Sequence, residues 1–390
     1  MKLPKISLSD ELKELKKFES LDQKEKRVVF YSESENSMFV FKSLIEELIT
    51  NHNLQICYVT SSKNESMLST SNKKIKVFCI GDGIARTKFF LNLKADVLIM
   101  TMPDLELFHI KRSKIYPVHY VYMFHAMVST HLVYRKSAFD NFDSILCVGE
   151  YQINEIRSAE KIYNLKPKNL IRCGYNHLDN LMEKYGKESE INKIKKPKIQ
   201  ILLAPSWGKK GLFETKIEDI LDILLKADYK IILRPHPMSL KISEKKIKSI
   251  EKKFLSNPNF RLELNVSNFD SFLFSDIMIS DWSGAALEFA FAFEKPILYI
   301  DVPKKIHNPD YEKIPEIPIE VNIRNKIGKI ISPSSIELIP IEIEKILEKS
   351  AEYKKNIRFL RDEQIFNIGN SRKNAAKYII ELLNQVESNF

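Results

Sequence analysis

Short apolar strands alternate with helical segments along most of this chain, and this alternation limits the possible fold more than any other feature. The predicted strands of the first half are RVVFYS at 27–32, LQICYVT at 54–60, KIKVFCI at 74–80, ADVLIMT at 95–101, VHYVYMF at 118–124 and SILCVG at 144–149. Helical spacing occurs at 38–52 and 85–93. Buried strands separated by helices predict a parallel sheet with helices on both faces.

The same alternation restarts after a polar, lysine-rich stretch. The predicted strands of the second half are IQILLAP at 199–205, KIILRPH at 230–236, RLELN at 261–265, DIMISD at 276–281 and PILYID at 296–301. Helices are predicted at 217–227, 242–255, 271–274 and 284–293. A chain of 390 residues exceeds one hydrophobic core. We therefore expect an α/β protein with two Rossmann-like domains facing across a cleft, and C-terminal helices at 340–349 and 351–384 that pack back over the join.

These patterns divide the chain into five parts. They are a charged leader helix at 1–26, an N-terminal domain at 27–185, a linker at 186–198, a C-terminal domain at 199–340 and C-terminal helices at 341–390. The chain is 44% hydrophobic and 29% charged, a composition that excludes a wholly disordered protein. The start lacks the apolar core of a signal peptide, and no later stretch supplies about 18 uninterrupted apolar residues. We expect a cytoplasmic protein that does not cross a bilayer.

The formal charge of +10 favours an anionic partner such as nucleic acid, a phosphorylated small molecule or an acidic lipid surface. The basic residues are mostly lysines scattered among glutamates along helical stretches, as in KISEKKIKSIEKK at 241–253. Such faces are usually only solvated. The four cysteines are far apart and lie in or beside apolar runs, which predicts buried thiols in a reducing cytosol.

Ligands of open α/β sheets bind beyond the carboxyl ends of the strands, so the polar residues after each strand carry the functional argument. The first such turn, SESENS at 32–37, has two glutamates and no glycine. Carboxylates there would repel a pyrophosphate, which argues against an NAD or FAD enzyme. GxxxxGK[ST] is also missing, which argues against a P-loop kinase or ATPase.

His125 directly follows a central strand of the first half. A histidine there can take a proton from a hydroxyl nucleophile, because its ordinary pKa of about 6.5 lies near cytosolic pH. The alternative is a core histidine bonded to the backbone, and for one histidine in isolation that reading is the commoner one. For His131, six residues further on, we expect a position on a helix surface.

The second half contributes candidate phosphate-binding groups at three strand ends. In LRPHP, Arg234 offers a planar fork for phosphate oxygens and His236 a second donor, although a turn with an incidental histidine would look the same. In ISDWSGAALEF, a tight turn with Asp281 and Ser283 leads into a helix whose N-terminus favours an anion. The remaining candidates are Gly284, at the start of that helix, Glu288, as an acceptor for ribose hydroxyls, and Ser206 and Trp207 in LLAPSWG.

In this order, His125 after an aromatic-rich strand, LLAPSW, LRPHP and SDWSGAALEFAFAFEKPILYID resemble the CDP-glycerol glycerophosphotransferase family of teichoic-acid and capsule synthesis. The resemblance covers approximately residues 116–301 and implies a GT-B fold with an N-terminal acceptor domain and a C-terminal nucleotide-donor domain. It also implies a catalytic role for His125 and a pyrophosphate-binding role for Arg234 and His236. Asp281 and Ser283 match the family's second donor-binding turn.

The chain departs from the family pattern at three places. Ala126 stands where the family usually has a glycine after the catalytic histidine, and Gly284 stands in place of a second serine. The family's proline-threonine-tryptophan-arginine element is PSWG at 205–208 in this chain, with two lysines directly after it. These departures indicate a divergent branch.

The resemblance implies a transferase that moves a polyol phosphate, with glycerol phosphate as the first candidate, from a CDP-linked donor to a hydroxyl of a lipid-linked or polymer acceptor, releasing CMP. We expect no metal and no cofactor, no nucleic-acid partner, and possible peripheral attachment to an anionic membrane surface at the inner face of the cell membrane. Two alternatives stay open. One is a GT-B glycosyltransferase or sugar-nucleotide epimerase, which would share the diphosphate and ribose contacts. The other is a basic nucleic-acid-binding or membrane scaffold, although we find no basic stripe with interleaved aromatic residues.

Overall fold

The computed structural model of the chain describes residues 7–34, 37–191, 198–265 and 268–388, and for 187–191 the backbone only. These residues form a seven-stranded and a six-stranded sheet, and every strand pair in both is parallel. The prediction of two Rossmann-like domains is therefore confirmed.

The first sheet has the strand order β3-β2-β1-β4-β5-β6-β7. Its strands are β1 Val28–Ser32, β2 Ile56–Thr60, β3 Ile75–Cys79, β4 Val97–Met100, β5 His119–Met123, β6 Ser144–Cys147 and β7 Asn169–Arg172. The helices of this half are α1 Leu8–Glu19, α2 Met38–Thr50, α3 Ile84–Leu91, α4 Glu150–Ile162 and α5 Asn176–Ile191. The inner strands are fully buried because helices cover both faces of the sheet. The sequence analysis did not predict β7, because it is a partly exposed edge strand without a continuous apolar run.

The second sheet has the strand order β10-β9-β8-β11-β12-β13. Its strands are β8 Gln200–Leu203, β9 Lys230–Leu233, β10 Phe260–Leu262, β11 Ile277–Ser280, β12 Ile297–Ile300 and β13 Gly328–Ile331. The helices of this half are α6 Leu212–Thr215, α7 Ile217–Lys226, α8 Pro237–Ile242, α9 Glu244–Phe254, α10 Asp270–Phe274, α11 Ala285–Phe293, α12 Ile319–Asn322 and α13 Arg324–Ile327. The edge strand β13 was also not predicted.

Three helices follow the second sheet: α14 Ile339–Glu348, α15 Ser350–Gln364 and α16 Ser371–Ser388. α15 packs against α11 and α13 of the second half, whereas α16 packs against α2 and α5 of the first half. The chain thus returns to the first domain, as expected. The single helix predicted at 351–384 was wrong, since the chain breaks at 365–370, where Asn367 and Gly369 have positive φ values of 47° and 79°.

The described part of the predicted leader contains α1, and the described start of the predicted linker is the end of α5. In α1, Leu15 and Phe18 are buried, and the Phe18 ring contacts those of Phe78 and Phe89 edge-on at 5.5 and 5.2 Å between centroids. The predicted linker begins inside α5, and its part at 192–197 lies outside the described residues, as do residues 1–6 of the leader and 389–390. Over the described ranges, none of the helices combines the length and apolar character needed to cross a bilayer.

Candidate functional site

The segment after β5 carries His125 at the carboxyl end of the first sheet, as the sequence predicted. The residue is exposed, but the surrounding protein removes water that would stabilise an imidazolium. This desolvation lowers the pKa of His125, and a backbone hydrogen bond with Thr101 opposes the shift. The carbonyl oxygen of His125 accepts a hydrogen bond of 2.8 Å from the Tyr175 hydroxyl. A neutral imidazole held in this way can accept a proton from a hydroxyl group.

The turn after β9 fixes the ring of His236. This residue is the N-cap of α8, and its Nδ1 accepts a hydrogen bond of 3.0 Å from the Met238 amide, with Pro237 in the first helical position. Burial lowers the pKa of His236 to about 3, and the nearby charges of Lys305 and His125 add to the effect. Because Nδ1 is the acceptor of the neutral ring, Nε2 carries the proton and is a hydrogen-bond donor.

The strand ends that carry His125 and His236 belong to different domains, and the two domains meet beside His125, at the start of α11. We call the space between the two sheets at this point the crevice. Gly284, at the start of α11, borders it from the second domain. A Cβ placed on Gly284 would lie 3.4 Å from Val128 Cγ1 and 3.5 Å from Ala126 Cβ, so the residues after His125 pack directly against the first turn of α11.

The Trp207 ring lies beside His236, and Lys305 and His307 lie beside Trp207. The Trp207 ring lies 6.1 Å from the His236 ring and 5.9 Å from the His307 ring, and the Lys305 Nζ lies 3.6 Å from the Trp207 ring centroid. Burial lowers the pKa of Lys305 to about 8, although Asp281 opposes the shift. The four residues come from the loops after β8, β9 and β12. This arrangement offers two neutral imidazoles and a lysine to an anionic group.

Sequence reasoning missed Lys305 and His307. Both lie in VPKKIHN, directly after β12, so the rule that singled out the other strand ends would also have found them. The loop is further fixed by the first domain, since His307 Nδ1 lies 2.8 Å from the Val133 carbonyl oxygen and Lys136 forms an ion pair of 3.0 Å with Asp310.

Asp281 holds the loop that carries Trp207. One carboxylate oxygen accepts from the Ser206 amide at 2.6 Å, and the other accepts from Ser206 Oγ at 2.8 Å and from the Leu212 amide at 2.9 Å. Asp281 and Ser206 are buried. The two predicted donor-binding residues are therefore brought together, and they bond to each other across 75 positions of sequence. The geometry makes them supports of the loop at 206–212 beside the crevice.

The Arg234 guanidinium is buried in the second domain. Its Nη1 donates to Glu263 Oε1 at 2.8 Å and to the carbonyl oxygen of Asn268, and the group stacks over the Phe269 and Phe272 rings at 4.8 and 4.9 Å. It is thus held by acidic and aromatic neighbours beyond the strand end. Its predicted contact with a diphosphate stays a prediction.

Ser283 and Glu288 lie on either side of the start of α11. Ser283 is partly exposed, and its carbonyl oxygen accepts from the Ala286 amide at 3.1 Å. Glu288 is buried, and its Oε1 lies 3.0 Å from the Tyr175 hydroxyl of the first domain. Burial raises the pKa of Glu288 to about 7, although the hydrogen bond from Tyr175 and the charge of Arg234 lower it. A ribose contact by Glu288 stays a prediction.

His131 does not lie on a helix surface, so that expectation was wrong. It is buried between the domains, with Nε2 3.0 Å from the Glu316 carbonyl oxygen and Nδ1 3.4 Å from Glu155. Ser129, two residues earlier, donates from its amide and its hydroxyl to Glu320 Oε1, both at 3.1 Å. These bonds anchor the segment after His125 to the second domain.

Comparisons with solved structures agree with this architecture. The chain is similar to the wall teichoic acid polymerase TagF, at 15% identity and a TM-score of 0.56, over 97% of this chain and 94% of that one. It is also similar to UDP-GlcNAc 2-epimerase from Neisseria meningitidis, at 17% identity and a TM-score of 0.59, over 91% and 100% of the two chains. The glycosyltransferase WaaG matches at 14% identity and a TM-score of 0.51, over 90% and 99%. These similarities confirm the GT-B-like fold.

The sequence comparisons show the family. The minor teichoic acid biosynthesis protein GgaB of Bacillus subtilis (strain 168) is 28% identical over 213 residues, which cover 45% of this chain. The chain spans about a fifth of that relative, since the match covers 21% of its length. Residues 14–381 match the family described as CDP-Glycerol:Poly(glycerophosphate) glycerophosphotransferase. The match extends over both domains and most of the C-terminal helices, and the chain belongs to this family.

Proposed function

We propose that this chain transfers glycerol phosphate, or a related polyol phosphate, from a CDP-activated donor to a hydroxyl of a surface-polymer or lipid-linked acceptor, and releases CMP. The observation that carries the proposal is the contact between the segment after His125 and the first turn of α11, where the first domain meets the domain that carries His236. Membership of the family supports the same reaction class.

The proposed reaction has one bond-forming and one bond-breaking event. The acceptor hydroxyl oxygen attacks the β-phosphorus of the donor, and the bond between that phosphorus and the bridging oxygen breaks. The electron pair of the broken bond leaves with CMP. His125 takes the proton from the attacking hydroxyl, because its lowered pKa keeps the imidazole neutral and able to accept.

The second domain would stabilise the negative charge that develops on the departing phosphate. His236 donates from Nε2, and Lys305 supplies a positive charge below a pH of about 8. The N-terminus of α11, with Ser283 and Gly284, offers backbone N–H groups to the same diphosphate. Ser206 and Asp281 hold the loop that presents Trp207. In this proposal Arg234 and Glu288 act from behind the crevice, through charge and hydrogen bonding.

The test is release of CMP from CDP-glycerol with a polyol-phosphate acceptor, compared with CDP-ribitol and UDP-sugars. We expect His125→Ala to lower the transfer rate by about 10²- to 10⁴-fold, the usual contribution of a positioned general base. His52→Ala, at an exposed histidine after α2, is the matched control and should leave the rate unchanged. Turnover of UDP-sugars alone would instead favour the glycosyltransferase or epimerase alternative.

We also propose that the acceptor is presented at the inner face of a membrane and that the +10 charge of the chain contributes to attachment there. Sedimentation with anionic liposomes tests this. We expect salt-sensitive cosedimentation with anionic liposomes and none with neutral ones. Equal recovery in the supernatant with both kinds of liposome would contradict the proposal.

A further inference from the structure

The Tyr175 hydroxyl links the two domains at a point directly behind His125. Tyr175 lies between β7 and α5 and is buried. Its oxygen is 2.8 Å from the carbonyl oxygen of His125, in its own domain, and 3.0 Å from Glu288 Oε1 on α11 of the other domain. One hydroxyl group thus contacts the main chain of the proposed general base and a buried carboxyl group of the donor domain.

The Tyr175 hydroxyl has two oxygen neighbours but only one proton, and this limits which hydrogen bonds can form together. A phenol hydroxyl has one proton to donate, whereas a carbonyl oxygen can only accept. If Tyr175 donates to the His125 carbonyl, its contact with Glu288 is a hydrogen bond only when Glu288 donates a proton of its own. The complete bridge therefore runs from a neutral Glu288 carboxyl group through Tyr175 to His125.

The surroundings of the bridge favour the neutral carboxyl group. Burial raises the pKa of Glu288 to about 7, and the hydrogen bond from Tyr175 and the positive charge of Arg234 limit the shift. The ionisable groups that face Tyr175, apart from Glu288, include Tyr134 and Tyr151, and burial keeps the pKa of both above the ordinary value. The His177 ring also lies 5.9 Å from the Tyr175 ring, and burial lowers the pKa of His177 to about 3, so that it is neutral near pH 7. Arg234 is therefore the one charged group outside the bridge that acts on Glu288 among the described residues.

We propose that Tyr175 is a positioning residue that fixes the main chain of His125 and that it does so while Glu288 is protonated, so that the donor domain controls the geometry of the general base in the other domain. This inference rests on the proposed function only for the identity of the step that it affects. When Glu288 loses its proton, the carboxylate competes for the Tyr175 proton, because hydrogen bonds to charged acceptors are about twice as strong as those to neutral ones. The His125 carbonyl then loses its donor.

The expected pH dependence has a definite sign. Protonation of His125 would lower the rate only at acidic pH, because the pKa of His125 is below its ordinary value. Deprotonation of Glu288 instead removes the bridge as pH rises through about 7. At saturating donor we expect kcat to fall by up to about tenfold between pH 6 and pH 8, as a group of that pKa titrates. Lys305, with its pKa of about 8, would act at higher pH and mainly on donor binding.

Three variants of the full chain test the proposal. Tyr175→Phe keeps the ring and removes the hydroxyl, and we expect kcat to fall by about 10- to 100-fold with little change in the KM for the donor. Glu288→Gln keeps a donor beside Tyr175 at every pH, so the fall of kcat between pH 6 and 8 should disappear. Tyr58→Phe is the matched control, since Tyr58 donates to the buried Glu65 at 3.1 Å in the same domain without contacting His125. Its kcat and pH profile should match those of the unaltered chain.

A second readout does not depend on turnover. With ¹³C at histidine Cε1, the NMR signal of His125, assigned with His125→Ala, should shift with a midpoint near pH 7 that is lost in Glu288→Gln and in Tyr175→Phe. That midpoint would support the bridge even if no CDP-linked donor were turned over, in which case only the proposed function would fail. Retention of the midpoint in Glu288→Gln, or a Tyr175→Phe enzyme with unaltered kcat, would overturn the inference.

Discussion

The two halves of the crevice hold their histidines in different ways. In the second domain the ring of His236 is itself bonded, through Nδ1 to the Met238 amide, and the neighbouring loop is held by Asp281. In the first domain His125 is exposed, and its main chain depends on Tyr175 and on contacts with the other domain. His236 and the Trp207 loop are thus held by bonds within the second domain, whereas the geometry around His125 depends on how the two domains meet.

Among the changes in the second domain, removal of the His236 ring should lower the transfer rate most. We expect His236→Ala to lower CMP release by about 10²- to 10³-fold, the usual cost of one lost preorganised donor. His236→Asn separates this role from the N-cap, because asparagine is a good N-cap residue and replaces the Nδ1 acceptor. The two variants should be similarly inactive in a CMP-release assay. Recovery of activity in the asparagine variant would show that His236 acts only as the N-cap of α8.

Loss of Asp281 should weaken donor binding indirectly, because Asp281 holds the Trp207 loop in place. Asp281→Ala leaves three donors of Ser206 and Leu212 without their acceptor, and we expect the free energy of unfolding to fall by about 3 kcal/mol. Donor affinity should fall by about tenfold as the Trp207 loop loosens. Asp276→Ala is the control, because Asp276 accepts from the Gln200 amide at the other end of β11. Urea unfolding and calorimetry distinguish the two, and equal donor affinity in both would contradict a special role for Asp281.

The sequence predicted the strand ends better than it predicted the partners of the residues there. His125, His236 and Asp281 were identified because each directly follows an apolar run, a local pattern. Their partners come from distant segments. The bond between Ser206 and Asp281 spans 75 positions and that between Tyr175 and Glu288 spans 113, and no local pattern encodes such a pairing.

The partners of Arg234 also come from distant segments, so the local sequence pattern did not predict them. The position of Arg234 after β9 predicts a fork for phosphate, and that contact stays a prediction. Its neighbours Glu263 and Phe269 come from the residue after β10 and from the turn before α10. A single sequence shows which residues reach the edge of a sheet. It does not show whether packing between elements directs a side chain into the crevice or back against its own domain.

Donor binding by the second domain should depend on pH through the charge of Lys305. Because burial lowers the pKa of Lys305 to about 8, its charge is present below that pH and is lost above it. We expect the affinity for CDP-glycerol to fall by up to about tenfold between pH 7 and pH 9. Lys305→Met should bind more weakly at pH 7 and lose this dependence, whereas Lys304→Met, at an exposed neighbour, should keep it. Calorimetric titration at several pH values measures both, and a persisting slope in Lys305→Met would assign the effect to another group.

The smallest expected effect concerns the contact between the halves. Gly284 and Ala126 face each other across this contact, and a Cβ on Gly284 would lie 3.5 Å from the Ala126 Cβ, an ordinary van der Waals separation. An alanine at 284 therefore fits, since the φ of −60° and ψ of −26° suit any residue. The γ-methyl groups of a valine would instead push the segment after His125 away from α11.

We accordingly expect Gly284→Val to lower kcat/KM several-fold and Gly284→Ala to lower it less. Adding Ala126→Gly to Gly284→Val should recover part of the loss, because it removes the methyl group on the opposite side of the contact. Kinetics of the two single variants and the double variant give the coupling, which we expect to be about 0.5 to 1 kcal/mol for side chains in direct contact. Strict additivity would mean that the two residues do not meet during the reaction, and that hydrogen bonds such as those of Tyr175, Ser129 and His131 position the segment after His125.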